Sequence, residues 1–326
     1  MMRQFENLKI INHEAIQDGI DSNYGSFPHE RIIRDYITSG LVILDKHSGP
    51  TSHEIVSIVK KILSITKAGH SGTLDPNVTG VLPIALAKAT KVLPLLLTAR
   101  KTYICNLQSS KNFSTNNWES VFLEYQDEIY QVPPLKSNVA KKLRKRRIYD
   151  LEILDIRNKQ VLFKVECQSG TYIRTLCIDI GKSSGQSSFM KELRRIQTGP
   201  FHEVDAITLH QLFDAYEIYR ETGSEDLLRT LILPMEIVVD NLPKVVLNMN
   251  AIDPISHGTD LYSPGIIAYS DFKSSESIAL LSPKGELVAI GNSYRSSEDL
   301  TNDCKGKIIH PNKILVERGT YPKYTK

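Results

Sequence analysis

The spacing of apolar residues along the chain predicts two parts with different structures. Up to about residue 241, strand-like runs such as residues 41–46 alternate with helix-like stretches such as residues 52–63 and 208–219. From about residue 242 the apolar runs become short and are separated by Gly, Pro and Ser, which is typical of a small β-barrel. We therefore expect an α+β domain with a mixed or antiparallel sheet, followed by a small β-barrel.

Local signals support individual elements of the first part. Thr51 and Glu54 form a capping-box pattern before the apolar face of the helix predicted after residue 51. Residues 151–156 and 160–167 are rich in β-forming residues and are joined by a short polar turn, so they predict a hairpin.

Two other stretches carry no sustained period. Residues 109–126 contain Trp118, the only tryptophan, and we interpret them as a peripheral insertion. Residues 1–39 are polar and mixed in character, so they are either disordered or an extension that packs on another part of the chain.

The composition indicates a globular protein inside the cell. A chain of 326 residues with 41% apolar residues is long enough for two domains. No apolar run approaches the roughly 18 residues of a membrane span, and the first thirty residues lack a signal-peptide core. We expect a soluble, cytoplasmic protein without membrane contact. The cysteines are widely spaced, which indicates reduced thiols and neither a metal site nor a disulfide framework; they are Cys105, Cys167, Cys177 and Cys304.

A basic segment is the main feature of the charge distribution. The net charge is only +3, yet seven basic residues and no acid fall between positions 136 and 147. Such a segment either neutralises phosphates of a nucleic acid or forms a solvated helix face. The candidate RNA-binding residues are Lys136, Lys141, Lys142, Arg144, Lys145, Arg146 and Arg147.

Residues 67–91 present a single acid, Asp75, on a glycine-rich loop. Pro76 restricts the backbone after the acid, and an apolar run from Val81 anchors the far side. A carboxylate on such a loop can serve as a nucleophile or a general base, with His70 and Lys67 as its titratable neighbours in sequence. Considered alone, Asp75-Pro76 is more typical of an ordinary turn than of a catalytic site.

The full string around Asp75 resembles the active-site motif of the TruB and dyskerin pseudouridine synthases, G-H-x-G-T-L-D-P-x-x-x-G-V-L-P. Residues 69–70, 72–76 and 80–83 match that motif. Residues 169–176 (SGTYIRTL) and 190–195 (MKELRR) resemble the second and third blocks of the family. In the C-terminal part, strings at 257–261 and 264–266 resemble the RNA-binding PUA domain.

The resemblance implies the roles of the candidate site residues. Asp75 would be the catalytic carboxylate, and Arg174 would form an ion pair with it. The implied substrate-binding residues are Tyr103, Tyr172, Arg174, Leu193 and His70. His47, Ser48 and Phe189 depart from the family pattern, which leaves individual RNA contacts open. The reaction moves uracil from N1 to C5 on the same ribose, so no cofactor or metal is expected.

The resemblance also implies partners and a domain division. The strings at residues 49–54, 130–137, 146–152 and 231–236 resemble the archaeal dyskerin type. In that type an H/ACA guide RNA selects a uridine in rRNA or tRNA, and the enzyme works together with small protein subunits and a kink-turn-binding protein. The chain ends soon after the predicted barrel, without a lysine-rich tail. The alternatives are a stand-alone synthase for the TΨC loop of tRNA and a non-catalytic RNA-binding scaffold. We expect an extension over residues 1–39 packed on the PUA domain, a catalytic domain over 40–241, and a PUA domain over 242–326.

Overall fold

The protein folds into two compact units in a computed structural model that describes residues 7–112, 115–133, 140–300 and 306–323. The central unit comprises Val42–Ala85 and Leu93–Leu231. The terminal unit comprises Met1–Leu41, Leu86–Val92 and Ile232–Lys326, so it combines both ends of the chain.

Strands and helices alternate through most of the chain. The strands are β1 (Lys9–Ile10), β2 (Gly40–Lys46), β3 (Ala68–His70), β4 (Thr79–Leu86), β5 (Lys101–Ser109), β6 (Asp127–Gln131), β7 (Arg144–Arg157), β8 (Gln160–Cys167), β9 (Ser188–Thr198), β10 (Phe201–His202), β11 (Ile232–Pro234), β12 (Lys244–Leu247), β13 (Leu261–Tyr262), β14 (Ile266–Tyr269), β15 (Ser277–Leu281), β16 (Leu287–Ser293) and β17 (Lys307–Ile314). The helices are α1 (His13–Asp21), α2 (Ile33–Thr38), α3 (Ser52–Ile62), α4 (Leu93–Thr98), α5 (Thr115–Leu123), α6 (Ile173–Ser183), α7 (Leu209–Thr222), α8 (Asp226–Leu231) and α9 (Met249–Ser256).

The central unit is built on a mixed sheet, which confirms the predicted fold class. Its strands run in the order β2-β4-β9-β5-β8-β7-β6, with β3 beside β4 and β10 beside β9. The β4–β9 pair is parallel. The antiparallel pairs are β9–β5, β5–β8, β8–β7 and β7–β6. Apolar residues of β5, β8, α5 and α6 form one core on this sheet.

Several predicted elements are confirmed, because their local signals agree with their packing. Thr51 and Glu54 form both halves of a capping box at the start of α3, whose residues Ile55 and Val59 are buried. The predicted hairpin is formed by β7 and β8, and Asn158 adopts the left-handed conformation (φ 53°) that its turn requires.

The interpretation of residues 109–126 as a peripheral insertion is wrong. Within this stretch α5 carries Trp118, whose side chain is 0% exposed. Trp118 packs edge-to-face on Phe122, and Phe122 packs in the same way on Phe163 of β8. Residues 118 and 122 are one helical turn apart, so this helix contributes to the core of the sheet through a few large side chains.

The terminal unit contains a seven-stranded sheet in the order β1-β14-β12-β15-β16-β17-β13. The short strands predicted after residue 242 are present, and they include β12, β14, β15, β16 and β17. The N-terminal stretch adds β1, in which Lys9 pairs with Tyr269 of β14. In the same unit, Arg31 donates two hydrogen bonds to the buried Glu236 carboxylate, at 3.0 and 2.6 Å.

Two further predictions concern membrane-spanning helices and the state of the cysteines. Among the described residues, no helix is long and apolar enough to cross a membrane. Cys105, Cys167 and Cys177 are buried free thiols. Cys304 lies outside the described residues.

Candidate active site

The loop that carries Asp75 connects β3 to β4 and is anchored on both sides of the acid. Before it, the Ser52 hydroxyl accepts a hydrogen bond from the Leu74 N–H (2.9 Å) and donates one to the Leu74 carbonyl (3.2 Å). After it, the Lys46 ammonium donates to the carbonyls of Pro76 (2.8 Å) and Val78 (2.9 Å). Because these anchors are buried, the backbone at Asp75 is held in one position.

Glycine is required where this loop enters β4. Gly80 has φ +106°, and a Cβ atom there would lie 2.1 Å from the backbone carbonyl oxygen of Arg195. The glycine therefore allows β4 and β9 to approach closely beside the loop.

A cavity of about 580 Å³ opens beside Asp75, within the range of small-ligand sites. It is lined by the Asp75 loop, the end of α4, β5, the turn that leads into α6 together with the start of that helix, and β9. Five of the six predicted site residues lie on its wall, namely Asp75, Tyr103, Tyr172, Arg174 and Leu193.

The two charged members of this set form an ion pair. Arg174 Nε lies 3.1 Å from Asp75 Oδ2, and Arg174 Nη2 lies 3.5 Å from Asp75 Oδ1. The Asp75 side chain is 43% exposed and that of Arg174 is 36% exposed. The carboxylate is therefore oriented by a guanidinium while it stays accessible from the cavity.

Sequence reasoning missed a buried cation on the cavity wall. Arg195 is 1% exposed and donates to the carbonyls of Val81 (2.7 Å) and Gly72 (3.2 Å). It also contacts the hydroxyl of Tyr103, its register partner on β5. Burial raises the pKa of the Tyr103 phenol, while the Arg195 guanidinium opposes that rise.

Strand alternation is the signal that identifies these missed residues. Arg195 follows Leu193 by two positions on β9, so both side chains point to the same face. Lys101 likewise precedes Tyr103 by two positions on β5, and both line the cavity. Burial lowers the pKa of Lys101 to about 8, and its ammonium donates to three backbone carbonyls near the end of α4.

His70, the sixth predicted site residue, does not line the cavity. Its Nδ1 accepts the Gly72 N–H at 3.2 Å, and its Nε2 lies 3.2 Å from Nδ1 of His53. Burial, followed by the nearby His53 and Arg195, lowers the pKa of His70 to about 4. Because a neutral His70 that accepts at Nδ1 carries its proton on Nε2, it donates a hydrogen bond from Nε2 to Nδ1 of His53.

Much of the basic segment is engaged within the sheet. Arg147 pairs with Asp127 (2.8 Å) and Lys145 pairs with Glu128, both acids on β6. Arg146 donates to the Gly170 carbonyl (3.0 Å), in the turn that lines the cavity. The other members are placed as follows: Lys141 and Lys142 are exposed, Arg144 is partly exposed, and Lys136 lies outside the described residues.

Comparison with known protein families agrees with this geometry. The N-terminal domain model of the TruB family of pseudouridylate synthases matches residues 60–173, and the C-terminal domain model of tRNA pseudouridylate synthase B matches 174–240. A DKCLD (NUC011) domain matches residues 15–56 and a PUA domain matches 243–315. The chain belongs to the TruB family of pseudouridine synthases.

Individual relatives define the branch of the family more closely. The chain is 45% identical to a probable tRNA pseudouridine synthase B of Methanocaldococcus jannaschii, over 100% of this chain and 98% of the relative. A structure of an H/ACA ribonucleoprotein bound to a substrate RNA containing 2′-deoxyuridine matches with TM-score 0.87, at 38% identity and full coverage of both chains. A Cbf5–Nop10–Gar1 complex matches with TM-score 0.86, at 42% identity and 93% coverage of each chain.

Proposed function

We propose that the protein isomerises uridine to pseudouridine in RNA selected by an H/ACA guide RNA, with Asp75 as the catalytic carboxylate. The observation that carries this proposal is the Asp75–Arg174 ion pair on the wall of a cavity that two tyrosines also line. A scaffold that only binds RNA needs neither an oriented carboxylate nor a cavity of this size.

The isomerisation breaks one bond between base and sugar and forms another. The bond between uracil N1 and C1′ breaks, the base turns, C5 bonds to C1′, and the C5 proton is lost as N1 gains one. Asp75 acts on the sugar, either by attack at C1′ or by removal of a sugar proton, and the ion pair with Arg174 orients its carboxylate. Tyr103 and Tyr172 provide a surface for the extruded base, which can recover about 1–3 kcal/mol of the cost of unstacking.

The tyrosines and Leu193 differ in what they supply. Burial raises the pKa of Tyr103, so its phenol stays neutral and can donate a hydrogen bond to the extruded uracil. Leu193 provides an apolar contact beside it. His70 does not line the cavity and its ring contacts His53, so a substrate contact by His70 would be made to RNA outside the cavity.

The comparisons support a guide RNA and protein partners. The matched structures are named as an H/ACA ribonucleoprotein with substrate RNA and as a Cbf5–Nop10–Gar1 complex. We infer that this chain assembles with a guide RNA and small subunits of the same kind, and with a kink-turn-binding protein. The relatives named tRNA pseudouridine synthase B favour a tRNA substrate as the second candidate.

We also propose the domain roles. Residues 40–241 would carry catalysis, residues 242–326 would bind RNA as a PUA domain, and residues 1–39 would extend the latter. The pairing of β1 with β14 supports the last point. A cytoplasmic location suits these RNA substrates.

The test is conversion of uridine in two RNAs, a tRNA transcript and a guide-paired rRNA fragment, with and without guide RNA and partner proteins. We expect conversion of the rRNA fragment only with guide and partners, and loss of conversion in Asp75→Asn with RNA binding retained. Conversion of tRNA without a guide would favour the stand-alone synthase. Wild-type conversion by Asp75→Asn would refute the assigned role of Asp75.

A further inference from the structure

A buried glutamine that was not among the predicted site residues binds the backbone of Tyr172. Gln131 is the last residue of β6 and is 2% exposed. Its Oε1 accepts the Tyr172 N–H at 3.0 Å, and its Nε2 donates to the Tyr172 carbonyl at 3.1 Å. Both ends of one side-chain amide thus bind the N–H and the C=O of a single residue that is 41 positions away.

The gripped residue is the one from which α6 begins. Tyr172 is the N-cap of α6, and its side chain makes no capping hydrogen bond. Its carbonyl accepts the Leu176 N–H at 3.0 Å, so the Gln131 amide adds a second donor to the same oxygen. Arg174 is the second residue of the helix, and its guanidinium pairs with Asp75. The position of this first turn therefore decides where the guanidinium meets the carboxylate.

Gln131 also connects the cavity to the basic segment. On β6 its register partner is Arg144, the first residue of β7. The chain after Gln131 leads through residues 132–143 into that strand. A single side chain therefore joins the edge of the sheet that carries basic residues to the cavity wall.

We propose that Gln131 is a positioning residue for pseudouridine formation, which holds Tyr172 and the start of α6 so that Arg174 orients Asp75. This inference rests on the proposed function. Gln131 does not line the cavity, so its loss should slow the chemical step and leave RNA affinity largely unchanged.

The decisive variant is Gln131→Glu, because a carboxyl group changes its hydrogen-bonding pattern with pH. When protonated it has one donor and one acceptor, like the glutamine amide; when ionised it has only acceptors and repels the Tyr172 carbonyl. Burial keeps such a carboxyl protonated to higher pH. Charged groups lie near position 131. Arg144 is its register partner on β7. A surface hollow lined by residue 131 is also lined by Glu124, Glu128, Asp179 and Lys182. Acids predominate in that hollow, which favours the protonated form further.

The experiment compares single-turnover rates and RNA dissociation constants of the assembled protein between pH 5 and 9, each relative to wild type at the same pH. Gln131→Leu should be slower by about tenfold at every pH, as expected for a lost buried hydrogen-bond pair, with RNA affinity within about twofold. Gln131→Glu should approach the wild-type rate at low pH and fall towards the Leu variant as pH rises. Gln126→Glu is the matched control for added charge, since Gln126 is exposed and precedes β6 in the same unit.

The possible outcomes separate clearly. A wild-type rate in Gln131→Leu, or a Gln131→Glu rate that is low and independent of pH relative to wild type, overturns the proposal. A Gln131→Glu variant that matches wild type throughout while Gln131→Leu is slow supports it, because a carboxyl that stays protonated retains both bonds. Should the wild type convert no uridine, the proposed function fails by itself. The positioning role is then judged by hydrogen exchange of the Tyr172 amide, which should be faster in Gln131→Leu with exchange in β8 unchanged.

Discussion

Arg174 and Asp75 are 99 positions apart in sequence, yet the Arg174 Nε lies 3.1 Å from Asp75 Oδ2. One residue belongs to the first turn of α6 and the other to a loop held by buried hydrogen bonds from Ser52 and Lys46. Both side chains are partly open to solvent, so the pair contributes at most about 1 kcal/mol to stability. Its importance lies in the geometry that it imposes on the carboxylate.

Replacing the guanidinium by an ammonium should therefore separate activity from stability. Arg174→Lys keeps the charge and loses the planar pair of donors, so we expect the rate of pseudouridine formation to fall by about 10- to 100-fold. The free energy of unfolding should stay within about 0.5 kcal/mol of wild type. Single-turnover kinetics and urea titration measure the two effects. A wild-type rate in this variant would show that charge alone suffices.

His70 should make the protein less stable as the solution becomes acidic. Its pKa is lowered to about 4 in the folded protein, against about 6.5 in an unfolded chain. Between these values the unfolded chain binds a proton that the folded protein does not, so stability present above pH 6.5 is lost as pH falls towards 4. We expect His70→Gln to reduce this loss by about 1–3 kcal/mol, measured as urea unfolding at pH 4 and pH 7. The exposed His210 on α7 provides the control. An equal reduction in His210→Gln would contradict the assignment.

The ion pairs of the basic segment predict unequal contributions to RNA binding. Lys142 and Arg144 form no ion pair with any residue that the structure describes, whereas Lys145 and Arg147 face Glu128 and Asp127. Double replacement of Lys142 and Arg144 by alanine should lower the slope of log affinity against log salt by about 1–2.

The matched double replacement of Lys145 and Arg147 by alanine should change the slope less, because carboxylates already neutralise these cations. RNA affinity measured over a range of KCl concentrations distinguishes the two pairs. Equal slopes for both double variants would mean that the ion pairs open when RNA binds.

Trp118 should be among the residues on which stability depends most. Its indole is fully buried between α5 and the sheet, so Trp118→Ala should cost about 3–5 kcal/mol in urea unfolding. Leu123 on the same helix is exposed, and Leu123→Ala should cost less than about 0.5 kcal/mol. A small effect of Trp118→Ala would place this helix outside the cooperative core.

The sequence predicted those parts of the site that lie in continuous motifs. Asp75, Tyr172 and Arg174 each stand in a recognisable string, and the structure brings their side chains to one cavity, while their roles remain predictions. Gln131 was missed because its partner is a backbone group 41 positions away, and no local spacing marks such a contact. Arg195 also binds backbone groups of distant segments, but its position two residues after Leu193 on β9 is a local signal for its place on the cavity wall.

The fold shows the same division between local and non-local information. Helix caps, the β7–β8 hairpin and the short strands after residue 242 follow from local composition. The burial of Trp118 does not, because a nine-residue helix has too few turns to reveal its apolar face in sequence.

The terminal unit combines both ends of the chain, so its parts are synthesised at widely separated times. Lys9 forms an ion pair with Asp271, which lies 262 positions later in the sequence. Arg31 pairs with Glu236, which lies 205 positions after Arg31. At a ribosomal rate of about 5–20 residues per second, β14 is synthesised on the order of 13–50 s after its partner strand β1. The central unit, which is contiguous apart from one short excursion, is complete before that. Lys9 and Arg31 are thus synthesised long before their native partners Asp271 and Glu236.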